Sequence, residues 1–74
     1  MPHISIKHFP AKLSQEQKKE LSDAITIIIQ DALQCDANVI SIAMEAIAPQ
    51  DWSIAVYQPE IEVKQQHLIK QPRY

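Results

Sequence analysis

The 74-residue chain contains no glycine at all. Glycine-rich phosphate loops, GxGxxG dinucleotide turns and the GxSxG nucleophile elbow are therefore excluded. No backbone position carries the residue best suited to positive φ. Cysteine is nearly as scarce. Cys35 stands alone, so neither an internal disulfide nor a cysteine-rich zinc site can hold the fold. An unpaired thiol makes a reducing cytoplasm the expected compartment. Neither sign of charge dominates: seven basic residues are scattered among nine acidic ones, for a net charge of −2. A nucleic-acid footprint wants a basic stripe, and none is present. No apolar run approaches the roughly 18 residues of a membrane span. The first residues lack the basic-then-apolar order of a secretory signal, so neither membrane nor export is expected.

What remains is ordinary globular material, 46% hydrophobic. Residues 1–74 make a single domain, too short for two. A chain of this size buries only about 60% of the surface its unfolded form exposes, so a lone monomer is marginal. Oligomerisation is the staple left to it.

The patterning is that of an α/β unit. In residues 2–9, Pro2, Ile4 and Ile6 share one face while Ser5 and Lys7 take the other, the period of a strand with one buried side. Pro10 stops it. Ser14 with Gln17 three residues on forms a capping box. From there Leu21, Ala24, Ile25, Ile28, Ile29, Ala32 and Leu33 trace one helical stripe. The spacing predicts a helix over 15–33, with Ile27 off the stripe and free for a partner subunit. Residues 38–47 are apolar on both faces, as expected of a covered, central parallel strand. Strand, long helix, strand is a βαβ unit. Beyond the break at residues 48–51, Trp52, Ile54 and Val56 alternate and predict a short extended arm. Pro59 is suited to open a C-terminal helix that Pro72 ends. Two strands cannot cover both a 19-residue helix and their own second face. A homodimer that joins two such sheets is expected, with a hexamer as the alternative.

Chemistry-bearing residues are few. His3, His8 and His67 are scattered and make no metal-ligand pattern. Cys35 follows a helix, where the negative dipole end disfavours the thiolate. Pro2 is the exception. Once Met1 is removed, the chain begins with a secondary amine. Such a group titrates near about 7.7–8.0 before any perturbation. Apolar surroundings, here Ile4 and Ile6, disfavour its charged form, and a neighbouring cation such as Lys12 acts the same way. A neutral, rigid amine can accept a proton near pH 7 and return it. Pro2 is also a common processing-tolerant residue, so its position alone does not decide between the two readings.

Pro2 opening a short strand, the helix start Ser14-x-Glu16-Gln17-Lys18, and Ser41-Ile42-Ala43-Met44 followed by Trp52 together resemble the 4-oxalocrotonate tautomerase family. The likeness extends over the whole chain. The tail 68–74 is most similar to the longer, dimeric phenylpyruvate-type bacterial tautomerases. The resemblance implies that Pro2 is the proton shuttle and that Trp52 walls the active site. It also implies a substrate grip near Lys12 or Leu13 and at Ser41. At those places the founding enzyme carries two arginines that hold a dicarboxylate. Neither Lys nor Ser supplies a planar guanidinium fork, so an aryl 2-oxo acid fits better than a dicarboxylate.

The expectation is thus a cofactor-independent keto–enol tautomerase of a 2-oxo acid such as phenylpyruvate. Pro2 is its base and acid, Lys12, Ser41 and Trp52 bind the substrate, and no metal takes part. A non-catalytic interaction module remains a rival, as does a decarboxylase or dehalogenase that uses Pro2 on the same fold.

Overall fold

The computed structural model describes all residues, Met1–Tyr74. It begins with strand β1, His3–His8. Helix α1, Gln15–Leu33, follows with the boundaries that the cap and stripe predict. Both halves of the capping box are made. The Ser14 hydroxyl accepts the Gln17 N–H at 3.0 Å, and the Gln17 side chain accepts the Ser14 N–H at 2.9 Å. Without glycine the helix ends on Gln34, in the left-handed region at φ 51°. That conformation costs a residue with a Cβ about 1–2 kcal/mol. Part of the cost is offset by the Gln34 amide, which donates to the Asp31 carbonyl at 2.7 Å and satisfies one of the helix's orphan acceptors.

The second strand is shorter than the apolar run 38–47 predicts. Asp36 caps a 3-10 turn, Ala37–Val39, by accepting the Asn38 N–H. Strand β2 then covers Ser41–Ala46. Val39 and Ile47 fall outside it. Its second face is Ser41, Ala43 and Glu45, which is exposed and half polar. The doubly covered central strand is therefore not found within the chain. The sheet has two parallel strands in register, from His3 opposite Ser41 to His8 opposite Ala46. Ile4, Ile6, Ile42 and Met44 share the half-buried face. Helix α1 lies against it, with Lys18, Leu21 and Ser22 lining a groove beside Ile42 and Met44.

The largest departure from expectation comes after residue 48. Trp52, Ile54 and Val56 do not form an extended arm. A 3-10 turn, Pro49–Asp51, runs into a π-helix, Ser53–Glu62. Pro59 sits inside this helix rather than at its start. The side chains that turn inward are Trp52, then Ala55, Val56 and Tyr57, then Glu60 and Ile61, while Ile54 stays exposed. That grouping suits a helical winding, here the wide i→i+5 winding of a π-helix. Sampled only at 52, 54 and 56, the apolar residues mimic a strand's alternation. The expected helix to residue 70 is replaced by a 3-10 turn, Gln65–His67, and an irregular tail. The fold remains α/β, a βαβ unit with a C-terminal helical region.

Little of this chain is buried. Val56, at 6% exposure, is its one buried residue. Ile27, Ile28 and Leu33 on α1 stay well exposed, as do Phe9, Ile54 and Val63. On α1 only Leu21, Ser22, Ile25, Thr26, Ile29 and Gln30 are half-buried, so Ala24, Ile28, Ala32 and Leu33 of the predicted stripe have no cover. The helix therefore depends on its own local bonds more than is usual. Ser14→Ala, which removes the cap, should lower stability by about 1 kcal/mol, while Ser14→Asp should restore most of it. Urea unfolding followed by circular dichroism measures both.

Candidate active site

Parallel strands place their starts at one end of the sheet and their exits at the other. Pro2 immediately precedes β1, and its carbonyl accepts the Ser41 N–H at 3.2 Å. The two strand starts are thereby tied together. Pro2 is half-buried and has the parity of Ile4 and Ile6, whereas Met1 is fully exposed. The Ser41 hydroxyl belongs to the other face of the sheet. It is engaged with His3 Nδ1 at 2.7 Å, so its backbone rather than its side chain meets Pro2.

Trp52 lies at the opposite end. Its ring stands edge-on to Phe9, with centroids 5.2 Å apart and planes at 87°. Phe9 follows the exit of β1, and the His8 carbonyl there accepts the Ile47 N–H at 2.7 Å. At about 3.3 Å per residue, the length of β1 separates Pro2 from this end by roughly 20 Å. Lys12 is on the same side as Trp52. It is exposed in the connection from β1 to α1, and its neighbours Ala11 and Leu13 line a hollow with His8 and Ala46. The expectation that Lys12 stands beside Pro2 does not hold within one chain. Of the four candidate residues, the fold joins Pro2 to Ser41 through the backbone and leaves Lys12 and Trp52 at the strand exits, lining no pocket together.

At the Trp52 end there is an open cleft of about 480 Å³, lined by Lys7, His8, Phe9, Trp52 and Tyr74. Three aromatic walls and one ammonium suit a flat ring carrying a negative group. The Trp52 indole N–H donates to the Tyr74 hydroxyl at 3.1 Å. His8 turns its Nδ1 to the Phe9 carbonyl at 2.7 Å. Lys7 also reaches toward the π-helix. The Glu60 carboxyl is held below the ordinary glutamate range, chiefly by the hydrogen bond and charge of Lys64 and more weakly by Lys7. Lys7, Phe9 and Tyr74 were not singled out by the sequence patterns. Phe9, an aromatic at a strand exit, carried a faint signal. Tyr74 carried none, because its partner is 22 positions away. No group of three or more His, Cys, Asp or Glu side chains converges as a metal site would require.

Comparison with known proteins agrees with this architecture. The profile of the family described as Tautomerase enzyme matches residues 2–60. A tautomerase PptA of Shigella sonnei is 43% identical over all of this chain and 97% of its own length. A tautomerase PptA of Escherichia coli O139:H28 is 42% identical with the same coverage. A probable tautomerase of Xylella fastidiosa is 39% identical over the whole chain and 89% of its own length. With a family match that starts at Pro2 and relatives this similar from end to end, the chain belongs to the tautomerase family, enzymes of the isomerase class.

Proposed function

We propose that the chain is a cofactor-independent tautomerase of aryl 2-oxo acids such as phenylpyruvate, with the Pro2 amine as base and acid. The observation that carries this reading is Pro2 itself. It is half-buried on the apolar face at the start of β1, behind a Met1 that is fully open to removal. A secondary amine released there is rigid, and the tie from the Ser41 N–H to the Pro2 carbonyl fixes its backbone. Its free base takes the proton of the enol hydroxyl. The electrons of the broken O–H bond become the carbonyl. The carbon–carbon double-bond pair then takes the proton back from the prolinium nitrogen, which forms the new C–H bond and leaves the amine neutral. Nothing is consumed, so no cofactor is needed.

The substrate's ring is assigned to Trp52 and its carboxylate to Lys12. Since both stand roughly 20 Å from Pro2 along β1, they serve the Pro2 of a second copy. The same pairing gives the uncovered residues Ile27, Ile28 and Leu33 a partner, as a chain with one buried side chain requires. The Ser41 hydroxyl stays engaged with His3 on the other face of the sheet, so the contribution of Ser41 on the Pro2 side is its backbone.

Three outcomes are expected. The purified protein lacks Met1 by intact mass, and Pro2→Ala slows enol-phenylpyruvate decay by about 10²-fold or more; equal rates would remove Pro2 from the mechanism. Because the neutral amine is the active form, kcat/KM falls as pH drops through the amine's pKa, and a flat profile from about pH 5 to 8 contradicts a titrating base. Mixing the Pro2→Ala and Trp52→Leu proteins after joint refolding restores activity, to about one quarter of the wild-type sites if dimers form at random. A mixture no more active than its separated parts rules out a site shared between copies.

A further inference from the structure

We propose that Tyr74 is a positioning residue for Trp52, and that through Trp52 it sets the enzyme's preference for aryl over alkyl 2-oxo acids. The inference rests on the reading of Trp52 as the substrate wall.

The indole has one hydrogen-bond donor, and Tyr74 occupies it at 3.1 Å. Phe9 meets the ring edge-on. An aromatic edge contact is weakly directional and leaves the indole room to pivot, whereas a hydrogen bond at its far rim fixes the tilt. Tyr74 is itself braced. Its ring lies 5.9 Å from that of Tyr57 on the π-helix, with the planes inclined at 41°. The tail that carries Tyr74 has no regular structure, and residues 69–74 make no backbone–backbone hydrogen bond. The tail is therefore held over the cleft by side chains, and the Tyr74 contacts to Trp52 and Tyr57 are the aromatic part of that hold. A tyrosine placed in this way fixes one wall of the cleft without touching the atoms that react at Pro2.

The consequence is selective. A substrate ring stacked on Trp52 senses the indole's tilt, and a short alkyl chain does not. Removal of the hydroxyl in Tyr74→Phe keeps the ring on Tyr57 and frees only the indole. One neutral hydrogen bond corresponds to roughly a two- to tenfold effect. The ratio of kcat/KM for phenylpyruvate to that for 2-oxobutanoate should fall by this factor in Tyr74→Phe, with the change in KM. Trp52 is the only tryptophan, so its emission reports the same event directly and should shift to the red. An unchanged ratio, or equal losses on both substrates, overturns the inference. Trp52→Leu separates the two levels. If it leaves the aryl-to-alkyl ratio unchanged, the substrate-wall reading fails and takes the inference with it. If Trp52→Leu lowers the ratio while Tyr74→Phe does not, the wall stands and the role of Tyr74 falls.

Discussion

The in-register parallel pairing of β1 with β2 is the constraint from which the rest of the molecule follows. Parallel strands cannot be joined by a tight turn, so the chain needs a long crossover, which is α1. The same pairing sends both strand starts to one end and both exits to the other. Pro2, tied to the Ser41 N–H, is thereby fixed at the end where the sheet begins. Everything that leaves the strands collects at the far end, including Phe9, the Lys12 connection and the entry to Trp52. A chain built this way can hold Pro2 firmly and can hold an aromatic cleft firmly. It cannot bring the two together by itself.

The second consequence concerns cover. A two-stranded sheet is narrower than the apolar stripe of a 19-residue helix. Of the predicted stripe only Leu21, Ile25 and Ile29 are half-buried, beside Ser22, Thr26 and Gln30 from off the stripe, and Ile28 and Leu33 lie outside the covered face. Isolated two-stranded sheets are at best marginal in water. The isoleucines left on the outside of α1 therefore follow from a sheet that stops at two strands.

The elements governed by local chemistry were legible in the sequence. Helix α1 was readable to the residue because its cap is a side-chain–backbone exchange within three positions, and β1 because Ile4 and Ile6 alternate with Ser5 and Lys7. The misreadings arise where two periods give the same short sample. Trp52, Ile54 and Val56 alternate like a strand, yet Ile54 is exposed and Ala55 and Tyr57 are half-buried, as a helical winding requires, and Pro59 pointed to a helix start when it lies in the interior. In the run 38–47, the side-chain cap from Asp36 diverts the first residues into a 3-10 turn before the strand begins. Such Asx caps compete with regular structure and are invisible to a hydrophobicity pattern. The site was legible only in part. Pro2 is marked by its chemistry and Trp52 by family resemblance. Lys7, Phe9 and Tyr74 converge on Trp52 through tertiary structure alone.

The composition of the cleft decides what kind of substrate the fold favours. Arg73 is the only arginine in the chain. A dicarboxylate held by lysines alone would rely on point charges. Exposed ion pairs of that kind are worth about 0–1 kcal/mol each, without the geometric match of a guanidinium fork. An aryl ring against aromatic side chains gains about 0.5–1.5 kcal/mol beyond the area it buries, and that burial adds roughly 25 cal/mol for each Å². The aromatic terms therefore outweigh the charge terms, and under the proposed reading recognition depends more on the shape and orientation of Trp52 than on where a lysine stands. Under that reading one ammonium orients the carboxylate of the substrate, and the aromatic side chains of the cleft meet its ring.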